Sequence, residues 1–256
     1  MRRNGKEDEH WQDPPRPILE HLEELRLTVL KIGLVIGIST ILAFVFIQPI
    51  FRFLQMPLVF AGLNPQEFLT NLAPLGGFST ALQMAVLAGG VLSMPLVLYF
   101  VAEFILPGLT PLERRFLLPV FTAGVVLFLV GVAFAYFVLI PVTLKFFYEF
   151  DRSLGFLSKW TVQNYVGFVV QLILVMGLVF ELPVVVLTLT VLGLVDSSFL
   201  ARYRKHALVF FVVLAAVITP TSDLFTLVLV SLPLYVLYEL CIIVARLMES
   251  WWQQAG

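Results

Sequence analysis

Glu20, Glu23 and Glu24 belong to a short charged run, Pro17 to Arg26, that ends just before a long apolar stretch. A chain entering a bilayer needs basic flanks to orient itself, but it has no such need of carboxylates. Carboxylates at that point could hold cations, above all guanidinium forks, through paired charge-assisted hydrogen bonds. At helical spacing Ile18, Leu22 and Leu25 share one stripe, and Glu20, Glu23 and Glu24 fall opposite it. Pro17 suits the first helical position. By spacing alone, a solvated face on an interfacial helix explains these carboxylates as well as a binding surface does.

A second acidic–basic cluster is Phe104-Ile105-Leu106-Pro107-Gly108-Leu109-Thr110-Pro111-Leu112-Glu113-Arg114-Arg115. Pro107-Gly108 marks a turn. Glu113 then opens a helix, where a carboxylate also complements the helix dipole without any further role. Glu181 lies deep in an apolar run, two residues before Pro183. A charge at that depth costs about 2.5–3.5 kcal/mol on insertion scales, which makes a functional role the default. Its structural alternative is a hydrogen bond to Gln171 or to a backbone carbonyl. Pro183 removes the partner of the Val179 carbonyl nearby. Asp223 precedes the last apolar run and suits an N-cap.

The elements that position these groups follow from composition. The hydrophobic fraction is 60% and the charged fraction 13%, against ~25% charged in soluble domains. Such a chain cannot clothe itself in polar surface, and it reads as an all-α integral membrane protein. Six spans are expected: about Thr28–Ile47, Ser79–Ile105, Phe116–Ile140, Tyr165–Leu192, Ala207–Ile218 and Leu224–Val244. Pro95, Pro183 and Pro233 predict kinks. The fifth span is short, and the fifth and sixth form a short pair that protein or a thinned bilayer must accommodate. Of the 16 Lys and Arg residues, Arg52, Lys145, Arg152 and Lys159 fall on the outer side and all others on the side of the N-terminus. Both termini are therefore expected in the cytoplasm.

Residues 1–16 are expected to be a polar tail, 17–250 one membrane domain, and 251–256 a C-terminal tail. No apolar segment follows Arg2-Arg3 closely, so these arginines read as retention charges and no cleavable leader is expected. Gln48 to Phe78, with Pro49, Pro57, Pro65 and Pro74, is expected to be an ordered outer cap. The lone Cys241 excludes an intrachain disulfide. His10, His21 and His206 lie at or beyond the expected cytoplasmic surface, and no zinc, phosphate-loop or dinucleotide pattern is present, so an enzyme is not expected. A small-solute secondary transporter working through Glu181 is the rival reading, weakened by the absence of an inverted repeat.

Taken in order, several stretches resemble the TatC family, the multi-spanning receptor subunit of the twin-arginine protein translocase. They are His21-Leu22-x-Glu24-Leu25-Arg26, Phe104-x-x-Pro107-Gly108-Leu109-x-x-x-Glu113-Arg114, Phe134-Ala135-Tyr136-Phe137 with Pro141, Phe180-Glu181-x-Pro183, Tyr203-Arg204-Lys205, and Thr219-Pro220 with Asp223. The resemblance implies that Glu24 and Glu113 receive the paired arginines of a signal peptide, with Arg26 and Arg115 keeping the carboxylates ionised and Phe104 beside the site. It implies that Glu181 and Pro183 face single-span TatA- and TatB-type partners, and that Asp223 has a role at the outer face. It further implies an oligomeric complex in a bacterial-type cytoplasmic (inner) membrane, driven by the proton-motive force without cofactor or nucleic acid. Leu227 and Gln83 depart from residues found in some members, a glutamine and a lysine.

Overall fold

The computed structural model describes residues 18–72, 74–108, 111–218 and 224–255. The expected N-terminal tail, Pro17 and Asp223 therefore lie outside the described residues. Helices dominate: α1 (Ile18–Val45), α2 (Ile47–Phe60), α3 (Pro65–Phe68), α4 (Gly76–Ile105), α5 (Pro111–Phe134), α6 (Ile140–Ser153), α7 (Val162–Val179), α8 (Leu182–Val191), α9 (Ser197–Arg202), α10 (Arg204–Ile218) and α11 (Leu224–Ala255). The all-α expectation needs one small amendment. Strands β1 (Leu69–Thr70) and β2 (Trp160–Thr161) pair in parallel, Leu69 opposite Trp160.

Among the described residues five helical stretches are long and apolar enough to cross a bilayer: Leu22–Val45, Gly76–Ile105, Pro119–Ser153, Val162–Val191 and Leu224–Leu247. The expected fifth span coincides with α10, which at 15 residues covers only ~22 Å of a ~30 Å hydrocarbon core. The sixth is not short. Its apolar stretch has 24 residues, and α11 runs on through 251–255. The third also outruns its expected end, because Pro141 sits in the first turn of α6, where its missing N–H is tolerated, and does not stop the helix. Of the three prolines expected to kink, only Pro183 marks an interruption, the turn at Phe180–Glu181 between α7 and α8. α4 and α11 continue through Pro95 and Pro233.

The core centres on α7, whose Tyr165, Val166, Val169, Leu172 and Met176 are fully buried between α4 and α5. α1 lies outside this core and packs chiefly on α4. Its Leu30, Leu34, Ile38, Ile41 and Leu42 are exposed, a surface that only lipid or another apolar partner can cover. Glycines set the closest approaches. A Cβ at Gly89 of α4 would lie 2.6 Å from Thr40 Cα of α1. A Cβ at Gly131 would lie 2.6 Å from the Met176 carbonyl, and one at Gly177 2.6 Å from the Phe128 ring. Phe128 thus fills the notch at Gly177, and Phe180 the one at Gly131. Helices in lipid associate through such small-residue contacts, since burial of apolar surface gives no net drive there.

Gln48 to Phe78 is largely helical. α2 is tied to the core by two tyrosines: the Tyr136 hydroxyl donates to the Phe53 carbonyl and the Tyr165 hydroxyl to the Leu54 carbonyl, each at 2.6 Å. The first bond has a local cause. Pro57 cannot donate to Phe53, four residues earlier, so that carbonyl needs a donor from elsewhere. Tyr136 lies in a five-residue π turn, Ala135–Leu139, between α5 and α6. That turn re-aims the side chain, and its ring stacks on Phe53 with centroids 4.4 Å apart. Tyr136→Phe is expected to destabilise the fold by about 1–3 kcal/mol by leaving the Phe53 carbonyl without its donor away from water. In a Pro57→Ala background the restored backbone N–H should reduce that loss, and a double-mutant cycle on detergent-solubilised protein measures the difference.

Candidate functional site

α1 and α4 run antiparallel, with Lys31 against Glu103 and Thr40 against Gly89. Residues beyond Glu103 therefore run toward the start of α1, and Phe104 to Gly108 come alongside the turn that carries Glu24. The turn is not a uniformly solvated polar face. Leu22 and Leu25 are exposed at 54% and 42%, whereas Glu24 is partly buried and Glu23 and Arg26 are exposed. There is no separate interfacial helix: α1 is continuous from Ile18 into the first span. Its leucines face outward, as lipid requires, and Glu24 is left on the inward side. The Thr28 hydroxyl donates to the Glu24 carbonyl at 2.9 Å.

Phe104 is partly buried in the last turn of α4. A 3₁₀ turn, Leu106–Gly108, follows, and α5 starts at Pro111, so Glu113 stands in its first turn. The side chains of Glu113 and Arg115 lie outside the described residues. At the level of the backbone, Glu24, Phe104 and Glu113 come to one end of the α1–α4–α5 group.

Glu181 lies elsewhere, at the break between α7 and α8. It is 8% exposed, and neither carboxylate oxygen has a hydrogen-bond partner among the described residues. Neither the bond to Gln171 nor the one to a carbonyl is formed. Its surroundings are explained by register. Gly124, Phe128 and Gly131 share one face of α5 by i, i+4, i+7 spacing, and Gly177, Glu181 and Val184 share the facing side of α7–α8. The interlock at Phe128 and Phe180 then directs the carboxylate at Gly124, where a Cβ would lie 2.9 Å from Oε2. Pro183, in the first turn of α8, keeps the helix broken at the charged residue. Leu227 packs against the main core, and Gln83 is exposed.

Sequence reasoning placed a single charge deep in the spans and missed two ion pairs. Arg204 and Glu239 meet at 3.0 Å between α10 and α11, and the Tyr235 hydroxyl donates to the same carboxylate at 3.0 Å. Lys31 Nζ meets Glu103 at 3.3 Å. The signal was present: Glu239 lies inside the expected sixth span and Glu103 inside the second, each with an opposite charge on a neighbouring element. At the same end as α10's start, the Glu249 carboxylate accepts from Ser197 N–H and Oγ at 2.6 and 2.5 Å, fastening α11 to the start of α9. Asp196 caps α9, and the Phe199 N–H holds its carboxyl below the usual range.

Two glycine substitutions separate rigid from yielding contacts. Gly89→Ala drives a methyl into the Thr40 backbone and is expected to cost about 1–3 kcal/mol. Gly124→Ala meets the far end of a flexible side chain, and a helix-propensity advantage of ~0.8–1.0 kcal/mol offsets the shift. Thermal unfolding in detergent should show a clear loss for the first and little change for the second.

A family model described as "Sec-independent protein translocase protein (TatC)" matches residues 20–233. A TatC protein of Carboxydothermus hydrogenoformans is 32% identical over 238 residues, covering 93% of this chain and 96% of its own. One from Akkermansia muciniphila is 40% identical over 188 residues, covering 73% of this chain but 54% of its own, so the match spans about half of that relative. The chloroplast TATC of Pisum sativum is 37% identical, covering 88% of this chain and 63% of its own. A crystal structure titled as the twin arginine translocase receptor TatC superposes with a TM-score of 0.79 at 31% identity, covering 89% of this chain and 98% of that one. With the family model matching most of this chain and a relative aligned nearly end to end, the chain belongs to the TatC family of Sec-independent protein translocase proteins.

Proposed function

We propose that this chain is the receptor subunit of a twin-arginine translocase, binding the signal peptides of folded cargo at its cytoplasmic face. The observation that carries the reading is Glu24, turned inward beside the Phe104 end of α4 while the leucines around it face outward. Glu113 follows one short turn away in the chain. Two carboxylates on separate helices can hold two guanidinium forks at once, which two lysines of a mimic peptide would match poorly. Arg26 and Arg115 accompany the two carboxylates in the chain, and Phe104 borders the peptide. The excess of basic residues on the side of the N-terminus puts both termini and this site in the cytoplasm, with the α2–α3 segment as an outer cap. The membrane is a bacterial-type cytoplasmic (inner) membrane.

Glu181 and Pro183 serve the second half of the task, seating single-span TatA- and TatB-type partners. A nearly buried carboxylate without a partner among the described residues is a group that a polar residue of another helix would satisfy. Asp223, just before α11, acts at the outer face. The passage for folded cargo is built by oligomerised partners under the proton-motive force, with no cofactor and no nucleic acid. Membership of a protein translocase family removes the ground for the solute-transporter reading.

Glu24→Ala combined with Glu113→Ala is expected to abolish photocrosslinking of a twin-arginine signal peptide, with affinity down at least tenfold, or about 1.4 kcal/mol, while membrane insertion is unchanged. Undiminished crosslinking would sink the assignment. Glu181→Leu is expected to leave peptide crosslinking intact and to lower partner co-purification and transport. Loss of peptide binding as its first effect would show that the two sites are not separate.

A further inference from the structure

We infer that Glu103 and the Phe100 ring form a cation site adjoining the proposed Glu24–Glu113 receptor surface, and that Lys31 is its resident placeholder, displaced when an arginine of the peptide arrives. The inference rests on the receptor reading and adds a residue pair to it.

Three observations carry it. Lys31 Nζ lies 3.3 Å from Glu103 Oε2 and also 5.5 Å from the centroid of the Phe100 ring, so one cation is held by a carboxylate and an aromatic face together. Those are the two surfaces a guanidinium uses best, since its planar fork pairs with carboxylates and stacks on rings, and it sheds water more readily than an ammonium. Second, both side chains are 48% exposed. A half-exposed pair contributes little stability, so exchanging its cation is cheap and the site is reachable. Third, the position fits. Glu24 and Lys31 are seven residues apart on α1, hence on one face and about 10 Å apart along the axis. Phe100, Glu103 and Phe104 share a face of α4 at i, i+3, i+4. Adjacent arginines in an extended peptide point to opposite sides, and carboxylates spread along the helix pair can receive them where a single point charge cannot.

A placeholder and a mere clamp predict opposite signs for one substitution. If Lys31 competes with the peptide, removing its charge strengthens binding. If the pair only braces α1 on α4, removing either partner weakens it. The test uses the full chain in detergent and a fluorescent synthetic peptide bearing an Arg-Arg pair, with a Lys-Lys peptide as comparison. Lys31→Met, which keeps the apolar stem, is expected to tighten Arg-Arg binding severalfold. Glu103→Gln is expected to weaken it about tenfold and to narrow the preference for Arg-Arg over Lys-Lys, in keeping with loss of one charge-assisted contact. The double variant should bind as weakly as Glu103→Gln alone. Equal weakening by Lys31→Met and Glu103→Gln, or no change from either while Glu24→Gln with Glu113→Gln abolishes binding, would overturn the placeholder and leave the receptor standing. Binding that survives Glu24→Gln with Glu113→Gln would overturn both. Unfolding temperatures measured alongside identify any variant whose loss is structural, and for such a variant crosslinking from position 100 decides, with contact to the peptide supporting the site and none overturning it.

Discussion

Two helix pairs meet backbone to backbone at glycines, and the placement of the charged groups depends on those contacts. In lipid there is no hydrophobic drive between helices, so register is set where small residues let one chain approach another. Gly89 against Thr40 fixes α1 on α4. From that point the antiparallel run carries Lys31 to Glu103 and brings the turn of Glu24 alongside Phe104. Gly131 and Gly177, each filled by a phenylalanine of the facing helix, fix α5 on α7. From there the same faces carry Glu181 to Gly124. A slip of one helical turn at either crossing would move each carboxylate by about 5 Å.

Backbone groups are governed by the same scarcity of water. Proline removes a donor wherever it falls, and a freed carbonyl in a membrane must find another. At Pro57 the solution is a hydroxyl from a different helix, Tyr136, aimed by a π turn. At Pro183 it is a true break, with the Val185 N–H bonded to the Glu181 carbonyl at 3.1 Å as α8 restarts. The Phe134-Ala135-Tyr136-Phe137 and Phe180-Glu181-x-Pro183 stretches are thus two answers to one constraint. The first anchors a segment outside the core, and the second opens a gap in which a carboxylate can sit.

Much of this was legible in the chain. Except for α1, which starts at Ile18 and not near Thr28, apolar runs gave helices within a few residues of their observed starts, because burial and lipid demand the same composition. The ends were harder to read. The expected third span ends near Ile140, yet Pro141 lies where a helix tolerates proline, and the π turn before it has no signal in apolar periodicity. Spacing put the leucines and the glutamates on opposite sides of that turn but could not say which glutamate faces protein, since that depends on how α1 packs on α4; of Glu23 and Glu24, only Glu24 is partly buried. Lys31, Glu103, Arg204 and Glu239 were visible as types, but pairing is a tertiary fact, and only the crossing of α1 with α4 and of α10 with α11 made pairs of them. The route from Gly124 to Glu181 depends on three helices at once and leaves no local trace.

The pairs give Glu181 its meaning by contrast. Arg204 and Tyr235 both bind Glu239, Lys31 binds Glu103, and Glu249 takes two donors from Ser197. Each of these carboxylates finds a partner within the chain, and a buried one needs such a partner most. Glu181 is more buried than any of them and has no donor among the described residues. A fold that pairs these carboxylates has the means to satisfy this one, since a hydroxyl on α4 or α5 would suffice. Instead the facing residue is Gly124, which offers space and no donor. The pairings join neighbouring helices, α1 to α4 and α10 to α11. The Glu181 carboxylate therefore carries a desolvation cost that no donor among the described residues offsets.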